Sequence, residues 1–261
     1  MRRLRTALSI LTILPVGATS AAGKAPSPRE LPSPGELAAS VPFFPVVGAL
    51  LGAVLAIANH FLSHVLSGQV TAALLLAMAW LLSGGIHLDG LADTTDGLAS
   101  RAPADRALEI MRDPRVGAVG AAATFLTILL KFSSLAALSA GFRTPVLFVM
   151  PVLGRQAMAT VMPFYPYPRQ VPGLASPFAR RVPRRHAAAA LGFTTLLLAA
   201  TCLAYPQQVL PLAGAAVSAL AGSWVAADRV ARRLGGLTGD VYGAVCELAE
   251  CIFLLTVCAL A

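Results

Sequence analysis

What most limits the fold of this chain is a succession of apolar runs, most of them about twenty residues long, parted by short polar segments. They cover roughly 42–66, 70–86, 116–140, 145–162, 186–204, 209–227 and 241–261. About twenty apolar residues cross the hydrocarbon core of a bilayer as a helix. Inside lipid every backbone N–H and C=O must find its partner within the structure, so spans of this kind are helical. Only 12% of the residues are charged and 57% are hydrophobic, whereas a soluble domain carries about a quarter charged residues. The expectation is an all-α fold: a polytopic integral membrane helical bundle of about seven transmembrane helices. Residues 1–261 then form a single membrane-embedded catalytic domain, with 1–40 as an N-terminal interfacial helix and loop.

The first apolar run, 7–16, follows Arg2, Arg3 and Arg5 and is too short to span. It reads as an interfacial helix, and 17–40, rich in Ser, Pro and Gly, as a loop. Placing the polar segments alternately on two sides puts all of the 20 Lys and Arg except Lys131, Arg143 and Arg155 with the N-terminus, 87–115, 163–185 and 228–240. By the positive-inside rule that side is cytoplasmic. The net charge of +8 is therefore an orientation signal rather than a sign of nucleic acid. Cys202, Cys246, Cys251 and Cys258 lie in apolar runs without a CxxC pair and read as small buried hydrophobes.

The acids concentrate after the second run. Asp89, Asp93 and Asp96 are spaced i, i+4, i+7, which on a helix sets all three carboxylates on one face. Like charges on one stripe repel unless a cation lies among them, and Mg²⁺ takes oxygen ligands while bridging to substrate phosphates. Gly97 permits close approach to the backbone, and Arg101 is placed for a phosphate oxygen. Asp93-Thr94-Thr95-Asp96-Gly97 followed by Arg101 resembles the start of the CDP-alcohol phosphotransferase signature. It departs from that signature in the spacing to Arg and in lacking two regularly spaced downstream aspartates.

A closer resemblance runs through nearly the whole chain. Its core is 87–97, His-Leu-Asp-Gly-Leu-Ala-Asp-Thr-Thr-Asp-Gly. Segments 11–16, 43–48, 109–117, 130–132, 154–155 and 236–244 stand around it in the matching order. Together they resemble the adenosylcobinamide-GDP ribazoletransferase (cobalamin synthase) family. The resemblance implies attack of α-ribazole, or its 5′-phosphate, on adenosylcobinamide-GDP, with GMP leaving and Mg²⁺ required. It implies a bacterial inner-membrane enzyme whose active site faces the cytoplasm, with lipid around it and no nucleic acid; a homo-oligomer is compatible.

In that reaction Asp89, Asp93 and Asp96 are the expected metal ligands. Asp113 is expected as a further ligand or as the base that takes the hydroxyl proton, and His87 as the alternative base. Arg101, Arg112, Arg115 and Arg155 are the expected phosphate ligands. Carboxylates within a membrane helix are costly and so are functional candidates. Asp240 and Glu247 are accordingly expected at a second metal, with Glu250 nearby. Pairing with Lys131 or Arg155 is the structural alternative, and Lys131 itself reads as half of an ion pair. His60 and His64 read as packing. The rival readings are a membrane phosphotransferase with a CDP-linked donor and, from another class, a metal or ion transporter with acids spread through the membrane depth.

Overall fold

The computed structural model describes residues 2–14, 32–169, 176, 178 and 182–261. Every regular element among them is helical. They are α1 (Arg2–Leu11), α2 (Pro34–Ser40), α3 (Phe44–Leu62), α4 (Gly68–Ser83), α5 (Ile86–Ala99), α6 (Ala104–Ile110), α7 (Ala118–Ala137), α8 (Ala140–Val161), α9 (Arg184–Ala204), α10 (Val209–Leu234) and α11 (Gly239–Leu260). Among the described residues six helical stretches are long and apolar enough to cross a membrane, and the bent pair α4–α5 makes a seventh. The chain is a polytopic helical membrane protein.

α8 is the axis. It lies almost wholly buried, with α3, α9, α10 and α11 packed around it. The α3–α8 seam is close because Gly48 and Gly52, one turn apart, meet the backbone at Pro151 and Phe148; small residues four apart let membrane helices approach in this way. α5 lies between α11 and α7.

Two departures from the sequence reading have local causes, and two more shift the bounds of a helix. Residues 34–40, expected as loop, form α2: Ser33 caps it, accepting from Glu36 N–H, while the Glu36 carboxylate accepts from Ser33 N–H, with Pro34 in the first turn. This is a reciprocal capping box. The turn expected at 141–144 falls at 138–139 instead, because Ser139 caps α8 and buried Arg143 donates to the carbonyls of Leu138 and Gly68. The sixth span runs on through Leu234 and takes the polar residues from Asp228 with it. α1 begins at Arg2, five residues before the apolar run, and ends by docking Ile13 N–H on the Leu82 carbonyl. Residues 15–31, the end of that run and most of the expected loop, lie outside the described residues.

The second span stops at Ser83. Gly84 and Gly85 both adopt left-handed backbone, φ +68° and +72°, a region open chiefly to glycine. The chain turns by 88° there and re-enters helix as α5. At 14 residues α5 is about 21 Å long, too short and too acidic to cross a bilayer by itself.

Candidate active site

α5 presents two faces. His87, Gly90, Thr94 and Gly97 are buried, with Gly90 against the Asp240 backbone and Gly97 against Met111 and the Ala107 carbonyl. On the other side Asp89 is exposed, and Asp93 and Asp96 are half-buried. Asp93 is the centre of the acid group. It is half-buried among the like charges of Asp89, Asp240 and Asp96, with Arg169 as the opposing cation.

Asp240 enters this group from the first turn of α11, where it pairs with Arg169, 71 residues earlier in the chain. Its Oδ2 accepts from Arg169 Nη2 at 2.9 Å and from the Thr238 hydroxyl at 3.1 Å. The 163–169 loop is held in place by Leu237 N–H donating to the Pro166 carbonyl and by the Tyr165 hydroxyl donating to Asp228 Oδ1 at 3.1 Å. Arg169 thus brings a cation to the aspartates, a role its place in a Pro- and Arg-rich loop did not single out.

Asp96 has a different task. Its Oδ2 accepts from Gly117 N–H at 2.7 Å and its Oδ1 from Gly120 N–H at 2.8 Å. Gly117, at the head of α7, has no side chain to cap that helix, so α5 supplies the cap. The first turn of a helix leaves N–H groups without partners and carries partial positive charge, which a carboxylate satisfies on both counts. A Cβ on Gly117 or Gly120 would collide with this carboxylate.

The other expected residues are placed apart from this cluster or are engaged locally. Asp113 accepts from Arg115 three times, from N–H at 3.0 Å, Nε at 2.9 Å and Nη2 at 2.7 Å. Those hydrogen bonds hold its carboxyl at about 2, and the pair is in contact with water. Arg112 is exposed on the same loop. Arg101 is exposed with φ +53°, and the next carbonyl, that of Ala102, accepts from Arg233.

Arg155 and Glu247 belong to a second, deeper constellation. Lys131 Nζ donates to Glu247 Oε2 and Glu250 Oε2, each at 2.6 Å, and Arg155 Nη1 to Glu250 Oε1 at 2.6 Å. The four formal charges cancel. Glu247 lies seven residues beyond Asp240, about 10 Å along the helix. The ion-pair reading of Lys131 is the observed one, and these deep carboxylates are neutralised rather than lining an open path. His87 Nδ1 stands 3.3 Å from Arg155 Nη2. A guanidinium only donates, so Nδ1 carries the lone pair and Nε2 the proton. His87 therefore faces this network, on the side of α5 opposite the aspartates. His60 and His64 pack ring to ring, centroids 5.0 Å apart.

Among the described residues no three His, Cys, Asp or Glu side chains converge to hold a metal ion. Mg²⁺ does not require such a cage: it keeps waters and is commonly bound by one or two carboxylates together with substrate phosphates. Asp93 with one neighbour, Asp89 or Asp240, offers oxygen ligands of the kind that chemistry uses.

The fold and this cluster define a class, a multi-span helical membrane protein with an acidic site at one end of the bundle. The chain belongs to the cobalamin-5-phosphate synthase family, whose model matches residues 3–258. It is 40% identical over 252 residues to an adenosylcobinamide-GDP ribazoletransferase of Syntrophobacter fumaroxidans, covering 95% of each chain. A protein of the same name from Desulfitobacterium hafniense is 40% identical over 260 residues, covering 98% of this chain and 96% of that one. No solved structure matches.

Proposed function

We propose that this chain is an adenosylcobinamide-GDP ribazoletransferase, joining ribazole or its phosphate to the corrinoid and releasing GMP. The observation that carries the reading is the near-complete match to relatives of that name, combined with an acid group that centres on Asp93 and has Arg169 at its edge. Transfer at a diphosphate needs the negative charge of the reacting phosphoryl group held as it passes between oxygens. Asp89 and Asp93, with Asp240 beside them, would hold Mg²⁺, which when bound neutralises phosphate charge. Arg169 is set to bind a phosphate oxygen, and Arg101 lies exposed two residues beyond the end of α5. Asp96 fixes α5 to α7 and so keeps Asp93 in register. The acid end of the bundle, rich in Arg, is assigned to the cytoplasmic side of a bacterial inner membrane.

Purified protein assayed with adenosylcobinamide-GDP and ribazole is expected to release GMP in the presence of Mg²⁺. Asp93→Ala should lower turnover by at least about a hundredfold while the protein remains folded in the membrane. Release of CMP from a CDP-linked donor, with the corrinoid donor inert, would overturn the assignment.

A further inference from the structure

A cavity of about 360 Å³ opens beside the first turn of α5, walled by α3, α4, α7, α8 and α11. Most of its wall is apolar, with Leu51, Leu55, Phe132 and Trp80 among the lining side chains, and its polar end is Lys131, Arg155, His87, Glu247 and Glu250. The ion network accounts for nearly every polar atom at that end. Two donors are left over: His87 Nε2 and Arg155 Nε are buried with no hydrogen-bond partner among the described residues. His87 is only 3% exposed, and its Nδ1 is taken by Arg155, so the orphan Nε2 carries a proton that has no acceptor. A buried donor without an acceptor is costly, and such atoms in a native structure call for a partner from outside the chain.

We propose that this cavity is the seat of the aromatic base of ribazole, with the free imine nitrogen of the benzimidazole accepting from His87 Nε2. The proposal rests on the reaction assigned above and names the part of the molecule that takes one of its two substrates. Volume decides between them. A cavity of this size suits one bicyclic aromatic ring system with its apolar methyl groups, and a corrin macrocycle bearing a nucleotide diphosphate is far too large for it. Chemistry decides in the same direction: the walls are apolar, the charged end is electrically neutral and so has no use for an anionic diphosphate, and the two unmet donors call for acceptors, that on the uncharged His87 ring for a neutral one. A benzimidazole riboside has that acceptor in the plane of an otherwise apolar ring. Hydrogen bonding to it would make the site reject a ring that lacks it. Asp93 lies six residues beyond His87, about 9 Å along α5 and on its other face, so a riboside whose base is seated here reaches the phosphoryl chemistry by passing around this short helix.

The test uses the full chain in detergent micelles, with the two substrates varied independently. Ala77→Trp fills the cavity from the exposed side of α4, where the fold has room for it. It is expected to raise KM for ribazole about tenfold or more and leave KM for adenosylcobinamide-GDP unchanged. The second arm replaces the imine nitrogen of ribazole by C–H, giving an indole riboside. Wild type should discriminate against it about tenfold, and His87→Phe should not discriminate. An unchanged ribazole KM in Ala77→Trp overturns the proposal, as does equal use of the two ribosides by wild type. A lipid chain that co-purifies in the cavity and is not displaced by saturating ribazole also overturns it. Turnover with normal ribazole KM in both variants defeats this inference alone, whereas absence of any ribazole transfer by wild type defeats the assigned reaction and this inference with it.

Discussion

Asp93, Asp96 and Asp113 look alike in the sequence and stand in three different environments. Asp113, bonded to Arg115 by both backbone and side chain, is held at about 2 against an ordinary 3.8. Its folded value is depressed, so whatever it adds to stability is present above the ordinary value and lost as pH falls through about 2. It stays ionised through the range in which a base would be titrating. Asp113→Asn is therefore expected to leave the shape of the pH–rate profile unchanged between about pH 5 and 9; a shifted acid limb would make it the base. Asp96 caps α7 through two N–H groups. Asn keeps one acceptor oxygen but turns an amide donor towards a backbone donor, so Asp96→Asn should cost about 1–2 kcal/mol. Thermal unfolding in detergent should report the loss with or without Mg²⁺. Asp93→Asn, which breaks no such tie, should unfold at the wild-type temperature yet fail to turn over.

The element on which the site depends is the bend between α4 and α5. Gly84 and Gly85 hold left-handed backbone, where an L side chain costs about 1–2 kcal/mol. A Cβ on Gly85 would also press on the Trp80 indole. Gly85→Ala is expected to lower kcat by about tenfold with a modest fall in melting temperature, since the spans survive while the aspartates are re-aimed. Span-sized elements were legible because a run of apolar residues has few alternatives in lipid, and the i, i+4, i+7 spacing of the aspartates announced their common face. The bend was harder to read: two adjacent glycines at the end of an apolar run look like an ordinary helix stop. α2 was written in its Ser-Pro-Gly-Glu capping signature and was overlooked for want of apolar periodicity. Arg169, and the N–H groups that hold Asp96, were out of reach because they meet their partners only through the packing of loops and helix ends distant in the chain.

For the molecule as a whole, two spans carrying cations and one carrying two carboxylates close into a neutral group at the heart of the bundle. Lys131→Met should leave Glu247 with no remaining hydrogen-bond partner among the described residues, and Glu250 with Arg155 and the Cys246 thiol. Removal of one member of a buried ion pair costs about 3–5 kcal/mol, so a large fall in melting temperature is expected. Double replacement by apolar residues of similar size, Lys131→Met with Glu247→Leu, should recover part of it; no recovery would show that the group stabilises the fold by some other route.

The same neutrality carries a consequence for biogenesis. Lys131 precedes Glu247 by 116 residues, and Arg155 precedes Glu250 by 95. During translation two cations are thus committed to the bilayer well before either counter-charge leaves the ribosome, each at an insertion penalty of about 2.5–3.5 kcal/mol. The nascent protein can settle only when α11 slides in, so any message cut short before that helix yields a polypeptide marked by its own stranded charge as unfinished.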